Sequence, residues 1–230
     1  MNILAPITDE KTMKKAKVIV LLHGYSGNHN SYLKDTNIFE IAKKNNLIVI
    51  MPDADNSFYC NHLDGSNYFD YINDEIFEVA SKTLNRNLEK HDMYIIGISM
   101  GGYGALSIGL QTPNRFKGIG SISGSVDIMS RDVDKRINES ELAEEWKAMF
   151  GKKISSKNDI FLKLKNAPLP KLYLCCGDDD YLLSYNLKLI KKLKKLKIEH
   201  TYEQDPGEHN WDYFSQHLET ALTELVGVEC

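Results

Sequence analysis

The stretch Gly97-Ile98-Ser99-Met100-Gly101 constrains the fold of this chain more than any other, because it closes an apolar run and opens a helix of small residues. That is the form of a nucleophile elbow, a sharp strand-to-helix turn that holds a serine hydroxyl out at the end of a sheet. Glycines flank the serine because a side chain two residues either way collides with the turn. Met93-Tyr94-Ile95-Ile96-Gly97-Ile98 reads as a buried parallel strand, and Gly101-Gly102-Tyr103-Gly104-Ala105-Leu106-Ser107 as a helix start able to pack close to a sheet. Strand, turn and helix come in the required order, which makes Ser99 the first candidate for a nucleophile.

The rest of the chain repeats the same alternation. Short β-rich runs at 17–22, 47–51, 93–98, 116–121 and 172–176 are separated by longer amphipathic segments, a pattern that predicts an α/β architecture: a mostly parallel sheet with helices on both faces. Ile38, Ile41 and Ala42 form one helical stripe, and Ile76, Phe77, Ala80, Leu84 and Leu88 a second. Residues 2–7 and 17–22 are expected to pair as antiparallel strands joined by 8–15, forming the early edge of the sheet. Residues 125–170 break the alternation with a charged stretch (131–145), a helical piece (141–150) and a turn at Pro168-Leu169-Pro170. They read as a cap-like excursion above the sheet, bordering a cleft, within a single domain spanning 1–230. The lysine-rich run 187–198 reads as the solvated face of a helix docked on the sheet, with Leu187, Ile190, Leu193 and Leu196 inward.

A formal charge of -4 gives no electrostatic reason to expect nucleic acid or an anionic membrane as partner. Cys175 and Cys176 are adjacent in an apolar run, Cys60 lies in a loop and Cys230 is terminal. This is neither a disulfide framework nor a metal-ligand spacing, so reduced thiols in a cytoplasmic compartment are expected, with no metal. No apolar stretch approaches the roughly 20 residues that span a bilayer, and no leader pattern is read at the N-terminus, so a soluble protein is expected.

A serine hydroxyl is a poor nucleophile at neutral pH and needs a general base, itself oriented by an acceptor. In α/β-hydrolases the partners follow in the order serine, acid, histidine. His200, His209 and His217 lie after a plausible acid; His200 falls at the entry to the last strand and His217 on the C-terminal helix. His209 instead follows the loop Asp205-Pro206-Gly207-Glu208 and precedes the aromatic helix start Trp211-Asp212-Tyr213-Phe214, where such folds place catalytic groups. For the acid, Gly177-Asp178-Asp179-Asp180 follows a strand. Asp180 is favoured because it lies far enough past the strand end to turn back toward the His209 loop, with Asp178 and Asp179 as alternatives. His23-Gly24-Tyr25-Ser26-Gly27-Asn28 follows the run 17–22. There the backbone N–H of Tyr25, with that of Met100, is expected to form an oxyanion hole, while the His23 imidazole is expected to be a packed, hydrogen-bonded core group.

Four ordered segments carry a resemblance across nearly the whole chain: Leu22-His23-Gly24-Tyr25-Ser26-Gly27-Asn28-His29-Asn30-Ser31-Tyr32, Gly97-Ile98-Ser99-Met100-Gly101-Gly102-Tyr103-Gly104-Ala105, Cys176-Gly177-Asp178-Asp179-Asp180 and Gly207-Glu208-His209-Asn210-Trp211. Together they resemble the tributyrin-esterase branch of the esterase D family. The resemblance implies an α/β-hydrolase fold, a triad of Ser99, Asp180 and His209, and an oxyanion hole at Tyr25 and Met100. It also implies serine carboxylesterase activity on short acyl esters, with relatives that deacetylate or deferuloylate polysaccharides or hydrolyse S-formylglutathione. Two departures stand out. The family usually carries a further N-terminal strand ahead of the hairpin expected here, and near Asn56-Ser57-Phe58-Tyr59 it tends to have a glycine and a tryptophan.

The expectation is therefore a serine hydrolase that uses no cofactor and no metal, acts on a small-molecule ester through an acyl-enzyme, and has Phe58, Tyr59, Tyr68 and Trp211 as candidate cleft walls. The sequence leaves assembly into a homo-oligomer open. The same machinery passing its acyl group to an alcohol would be a transferase, and an inert site would leave a hydrolase-fold binding module.

Overall fold

The computed structural model describes residues 1–6, 15–90, 92–130, 142–164 and 169–230. Seven strands form one sheet: β1 (Asn2–Leu4), β2 (Val18–Leu22), β3 (Ile48–Met51), β4 (Met93–Ile98), β5 (Gly118–Ile122), β6 (Lys171–Cys175) and β7 (Thr201–Glu203), in the order β1-β3-β2-β4-β5-β6-β7. Every pairing is parallel except β1 on β3. The middle strands are apolar throughout because both faces are covered, as parallel sheets require.

One face carries α3 (Ile76–Leu84), α4 (Met100–Gln111) and α7 (Leu183–Leu196), which bury Ile76, Phe77, Leu106, Leu189 and Leu193 against Val18, Val20, Ile95, Ile119 and Leu172. The opposite face carries α1 (Ser31–Asp35), α2 (Ile38–Asn45) and α8 (Trp211–Ala221), whose Tyr32, Ile38, Ile41, Phe214 and Leu218 meet Ile19, Leu21, Ile96, Ile122 and Tyr173. Alternate residues of one strand thus feed two cores. The lysine-rich α7 is docked on the sheet as expected, with Ile190 and Leu193 buried and Leu196 partly buried, but Leu187, expected inward, is exposed and Leu189 takes the inward place because the helix turns that side to the sheet.

The strand pairing at the early edge differs from expectation. Asn2, Ile3 and Leu4 pair antiparallel with Met51, Ile50 and Val49 of β3, not with the strand that follows them in sequence. The reason is edge availability: β2 has parallel neighbours on both sides, β3 and β4, and offers no free ladder to a hairpin partner. The expected connection lies outside the described residues apart from Lys15, as do 131–141 of the charged stretch and Pro168.

Between β5 and β6 the described residues include α5 (Leu142–Phe150) and α6 (Ile160–Lys163). Trp146 of α5 packs on Phe58 with ring centroids 4.9 Å apart. Lys163 of α6 donates to the Ser107 hydroxyl of α4 at 2.7 Å, and burial lowers this ammonium to about 8. Among the described residues no helix is long and apolar enough to cross a membrane.

Candidate active site

The carboxyl ends of β2, β4, β5, β6 and β7 all point the same way, so the loops that leave them converge. Ser99 leaves β4 with φ 53° and ψ -117°, a conformation in which a non-glycine residue is strained, and α4 begins at the next residue. Neighbouring backbone holds it there: Ser99 N–H donates to Ile122 O, and Ser125 N–H to Ser99 O, both at 2.9 Å. The flanking glycines are there because of close approach. A Cβ on Gly97 would sit 2.1 Å from Gly101 O, and one on Gly101 would sit 2.0 Å from Leu22 O.

His209 lies one residue before the N-cap of α8. Asn210 caps that helix, its side chain accepting from Tyr213 N–H at 3.1 Å, and so turns the chain sharply at the imidazole. Asp180 lies in the loop after β6, where its Oδ1 accepts from Leu182 N–H at 2.8 Å. The two loops are stitched by backbone bonds, Asp178 N–H to Asp205 O and Asp179 N–H to Gly207 O, each 3.0 Å. Gly177 lets them approach, since a Cβ there would fall 2.2 Å from Gly207 O.

These placements bring all three sequence-expected side chains together. Ser99 Oγ lies 2.9 Å from His209 Nε2, and His209 Nδ1 lies 2.8 Å from Asp180 Oδ2. Asp180, not Asp178 or Asp179, makes the contact. With Nδ1 donating to the carboxylate, Nε2 is left as the acceptor of the serine proton. Burial pushes the Asp180 carboxyl upward, but bonds to the His209 ring and the Leu182 amide outweigh it and hold the group below the usual carboxylate range. Tyr181 and Phe214 pack on the His209 ring with centroids at 4.6 and 4.9 Å.

A depressed carboxyl pKa carries a sign. The stabilisation from ionised Asp180 is present above the unfolded value of about 3.9 and is lost as pH falls through the folded one. Asp180→Asn is therefore expected to flatten the acid limb of a stability curve below about pH 4, measured by urea unfolding. At neutral pH the same variant is expected to lose about 10⁴ in kcat, because the amide presents a donor where the Nδ1 proton needs an acceptor.

Tyr25 and Met100 come from the loop after β2 and the first turn of α4, and their backbone N–H groups have no protein acceptor among the described residues. His23 is buried; its Nδ1 lies 2.8 Å from Gly24 O and its Nε2 accepts from Ala54 N–H at 3.0 Å. Burial lowers its pKa, so the ring is a neutral brace for the loop. The Tyr25 phenol is held above its ordinary value, first by burial and then by the Glu145 carboxylate, so it remains a hydrogen-bond donor.

The four candidate wall residues separate. Trp211 lines a cavity of about 420 Å³ together with Ser99, His209, Tyr25, Ile98 and Phe214. Phe58 and Tyr59 are 2% and 0% exposed and face inward, because both adopt left-handed backbone (φ 50° and 53°) that turns their rings into the core. Tyr59 donates to His23 O at 2.8 Å, and Phe58 N–H points at Met100 Sδ, so both support the loops from beneath. Tyr68 donates to Asp55 at 2.5 Å and lies outside that cavity.

Sequence reasoning missed the polar side of the cavity, formed by Asn28, Asn30, Ser31, Lys34 and Asp35. For Asn28, Asn30 and Ser31 the signal was the run of polar residues that follows the His23-Gly24 turn. The sequence places His217 only on the C-terminal helix, with no role assigned to it. His217 is buried with Tyr173 OH at 2.9 Å, Asp205 at 3.2 Å and Glu203 at 3.4 Å, and so anchors the base of the loop that carries His209. Among the described residues no cluster of three or more His, Cys, Asp or Glu could hold a metal ion.

Comparison with known proteins bears on this arrangement. A family described as "Putative esterase" matches residues 2–225. An acetyl esterase of Caldicellulosiruptor saccharolyticus is 33% identical over 218 residues, covering 90% of this chain and 82% of that protein. Among solved structures, the fluorophosphonate-binding serine hydrolase FphF of Staphylococcus aureus superposes with a TM-score of 0.85 at 27% identity, over 97% of this chain and 91% of the other. The S-formylglutathione hydrolase FrmB of the same organism gives 0.74 at 28%, over 92% and 82%. With a match that runs almost end to end and a hydrogen-bonded serine, histidine and aspartate at the sheet's carboxyl edge, the chain belongs to this esterase family and is a serine hydrolase of the α/β-hydrolase fold.

Proposed function

We propose that this chain is a carboxylesterase that hydrolyses short acyl esters through an acyl-enzyme, in the manner of the tributyrin-esterase branch of the esterase D family. The observation that carries the reading is the continuous hydrogen-bonded line from the Ser99 hydroxyl through His209 to Asp180. In this reading Ser99 Oγ attacks the ester carbonyl while His209 Nε2 takes its proton, and Asp180 stabilises the imidazolium. The backbone N–H groups of Tyr25 and Met100 receive the oxyanion, each such donor being worth about 10²–10³ in rate. His209 then protonates the departing alcohol. Water, deprotonated by the same imidazole, releases the acid and restores Ser99.

The chain works as one domain in which residues 125–170 form a cap-like insertion, and a cytoplasmic setting suits its four unpaired cysteines. The cavity supports a small substrate with a polar half: beyond Ser99 its wall is Asn28, Ser31, Lys34 and Asp35, with Trp211 as an aromatic face. That wall favours a hydroxylated leaving group, such as the sugar of an acetylated saccharide, over a long alkyl alcohol. The acetyl esterase relative is in keeping with this choice.

The test is a panel of p-nitrophenyl esters from acetate to decanoate, run beside acetylated xylose, feruloyl esters and S-formylglutathione. Acetate is expected to give the highest kcat/KM, with a fall of at least about tenfold by octanoate, as loss of fit in a short acyl site costs over 1 kcal/mol. A flat or rising profile would remove the short-acyl assignment. Turnover of p-nitrophenyl acetate with none of acetylated xylose would remove the sugar assignment alone. Faster acyl transfer to added glycerol than to water would make the chain a transferase.

A further inference from the structure

Glu145 sits on the exposed side of α5, and its carboxylate accepts the hydrogen bond of the Tyr25 hydroxyl across 120 residues of sequence. The helix does not need this bond in order to dock. Its apolar side, Ala143, Trp146, Met149 and Phe150, is buried, with Trp146 on Phe58 at 4.9 Å and on Phe150 at 5.2 Å. What the bond does is fix the outer end of the Tyr25 side chain. The inner end is the amide expected to face the oxyanion.

The rest of that loop is braced in the same direction. The Tyr25 ring lies 6.1 Å from Phe58. Ser26, in left-handed backbone at φ 61°, donates its N–H to Asn56 Oδ1 at 2.7 Å. Phe58 in turn directs its own N–H at Met100 Sδ, 3.4 Å away. Helix α5 therefore reaches both residues of the oxyanion pair, Met100 through Trp146 and Phe58, and Tyr25 through Glu145.

We infer that Glu145 is a positioning residue for catalysis: by holding the Tyr25 hydroxyl it fixes the Tyr25 backbone N–H where the developing oxyanion will lie. The inference rests on the reading of Tyr25 and Met100 as the oxyanion donors. A hydrogen bond at the far end of a side chain matters here because oxyanion stabilisation depends on donors placed in advance, and displacements well under 1 Å are costly. The effect belongs to the transition state, so it falls on kcat and leaves ground-state binding alone.

The experiment is a double-mutant cycle in the full chain with Tyr25→Phe, Glu145→Ala and the pair, plus Glu145→Gln, which keeps an acceptor oxygen. Each single variant is expected to lower kcat on p-nitrophenyl acetate by about tenfold with KM within about twofold, the double variant is expected to match either single one, and Glu145→Gln to retain about half the activity or more. The inhibition constant of a short trifluoromethyl ketone, which forms a tetrahedral adduct on the serine, is expected to rise by the same factor as kcat/KM falls.

An unchanged kcat in Glu145→Ala, additive losses in the double variant, or a change confined to KM would each overturn the assignment, the last by making Glu145 a wall of the substrate site. The catalytic reading beneath it fails separately, if the wild-type chain forms no ketone adduct or if activity survives without the Ser99 hydroxyl.

Discussion

Ser99→Ala is expected to lower kcat on p-nitrophenyl acetate by roughly 10⁵- to 10⁶-fold while leaving the thermal midpoint within about 2 °C of the wild type. The loss is large because, in the proposed mechanism, the hydroxyl forms the covalent intermediate, and without it His209 and Asp180 have no proton to move. The backbone at residue 99 is already in its strained turn, and alanine at φ 53° is no worse suited to it than serine. The hydroxyl's hydrogen bond is to His209, so its removal leaves the packing intact. A residual rate some 10³–10⁴ above that in water is still expected from the oxyanion donors and substrate binding. Wild-type turnover in this variant would mean that the nucleophile lies elsewhere.

The second large effect is on folding. Gly101→Ala adds a Cβ 2.0 Å from Leu22 O, 2.6 Å from Leu22 C and 2.7 Å from His23 O, all of them backbone atoms at the end of β2 and the start of the loop that carries Tyr25. No side chain can swing aside, so either α4 lifts from the sheet or β2 shifts. The expected cost is about 3 kcal/mol or more. This corresponds to a midpoint roughly 6–12 °C lower for a chain of this size, read by calorimetry or a circular dichroism melt. The folded fraction is expected to be nearly inactive, because the displaced backbone leads directly into the Tyr25 loop and Gly101 lies two residues after Ser99. A variant that melts within about 2 °C of the wild type would show that the elbow does not approach β2 as described.

Features set by local rules are legible in the sequence. The elbow declares itself because strand, turn and helix are contiguous, and the three later loops because each follows an apolar run and so emerges at the carboxyl edge. Even the choice among Asp178, Asp179 and Asp180 followed from reach: the loop must turn back before a carboxylate can meet His209.

What depended on competition between distant segments was not legible. Asn2–Leu4 has the pattern of a hairpin partner for the next strand, but β3 takes that edge through a parallel crossover, and only the outer side of β3 remains open. Phe58 and Tyr59 look like cleft aromatics until two successive left-handed residues turn them inward. Lys34 and Asp35 gave no signal because the exposed side of the short helix α1 is decided by Tyr32, whose hydroxyl anchors to Leu22 O at 2.9 Å.

The backbone stitching between the loops after β6 and β7 makes the acid and the base a single mechanical part, while the serine rides on a different one two strands away. When the molecule loosens, the dyad travels as a plate. Heat or denaturant is then expected to part imidazole from hydroxyl before it parts imidazole from carboxylate. Inactivation of this kind would leave an aligned but idle proton relay, with activity expected to return on cooling once that one seam closes.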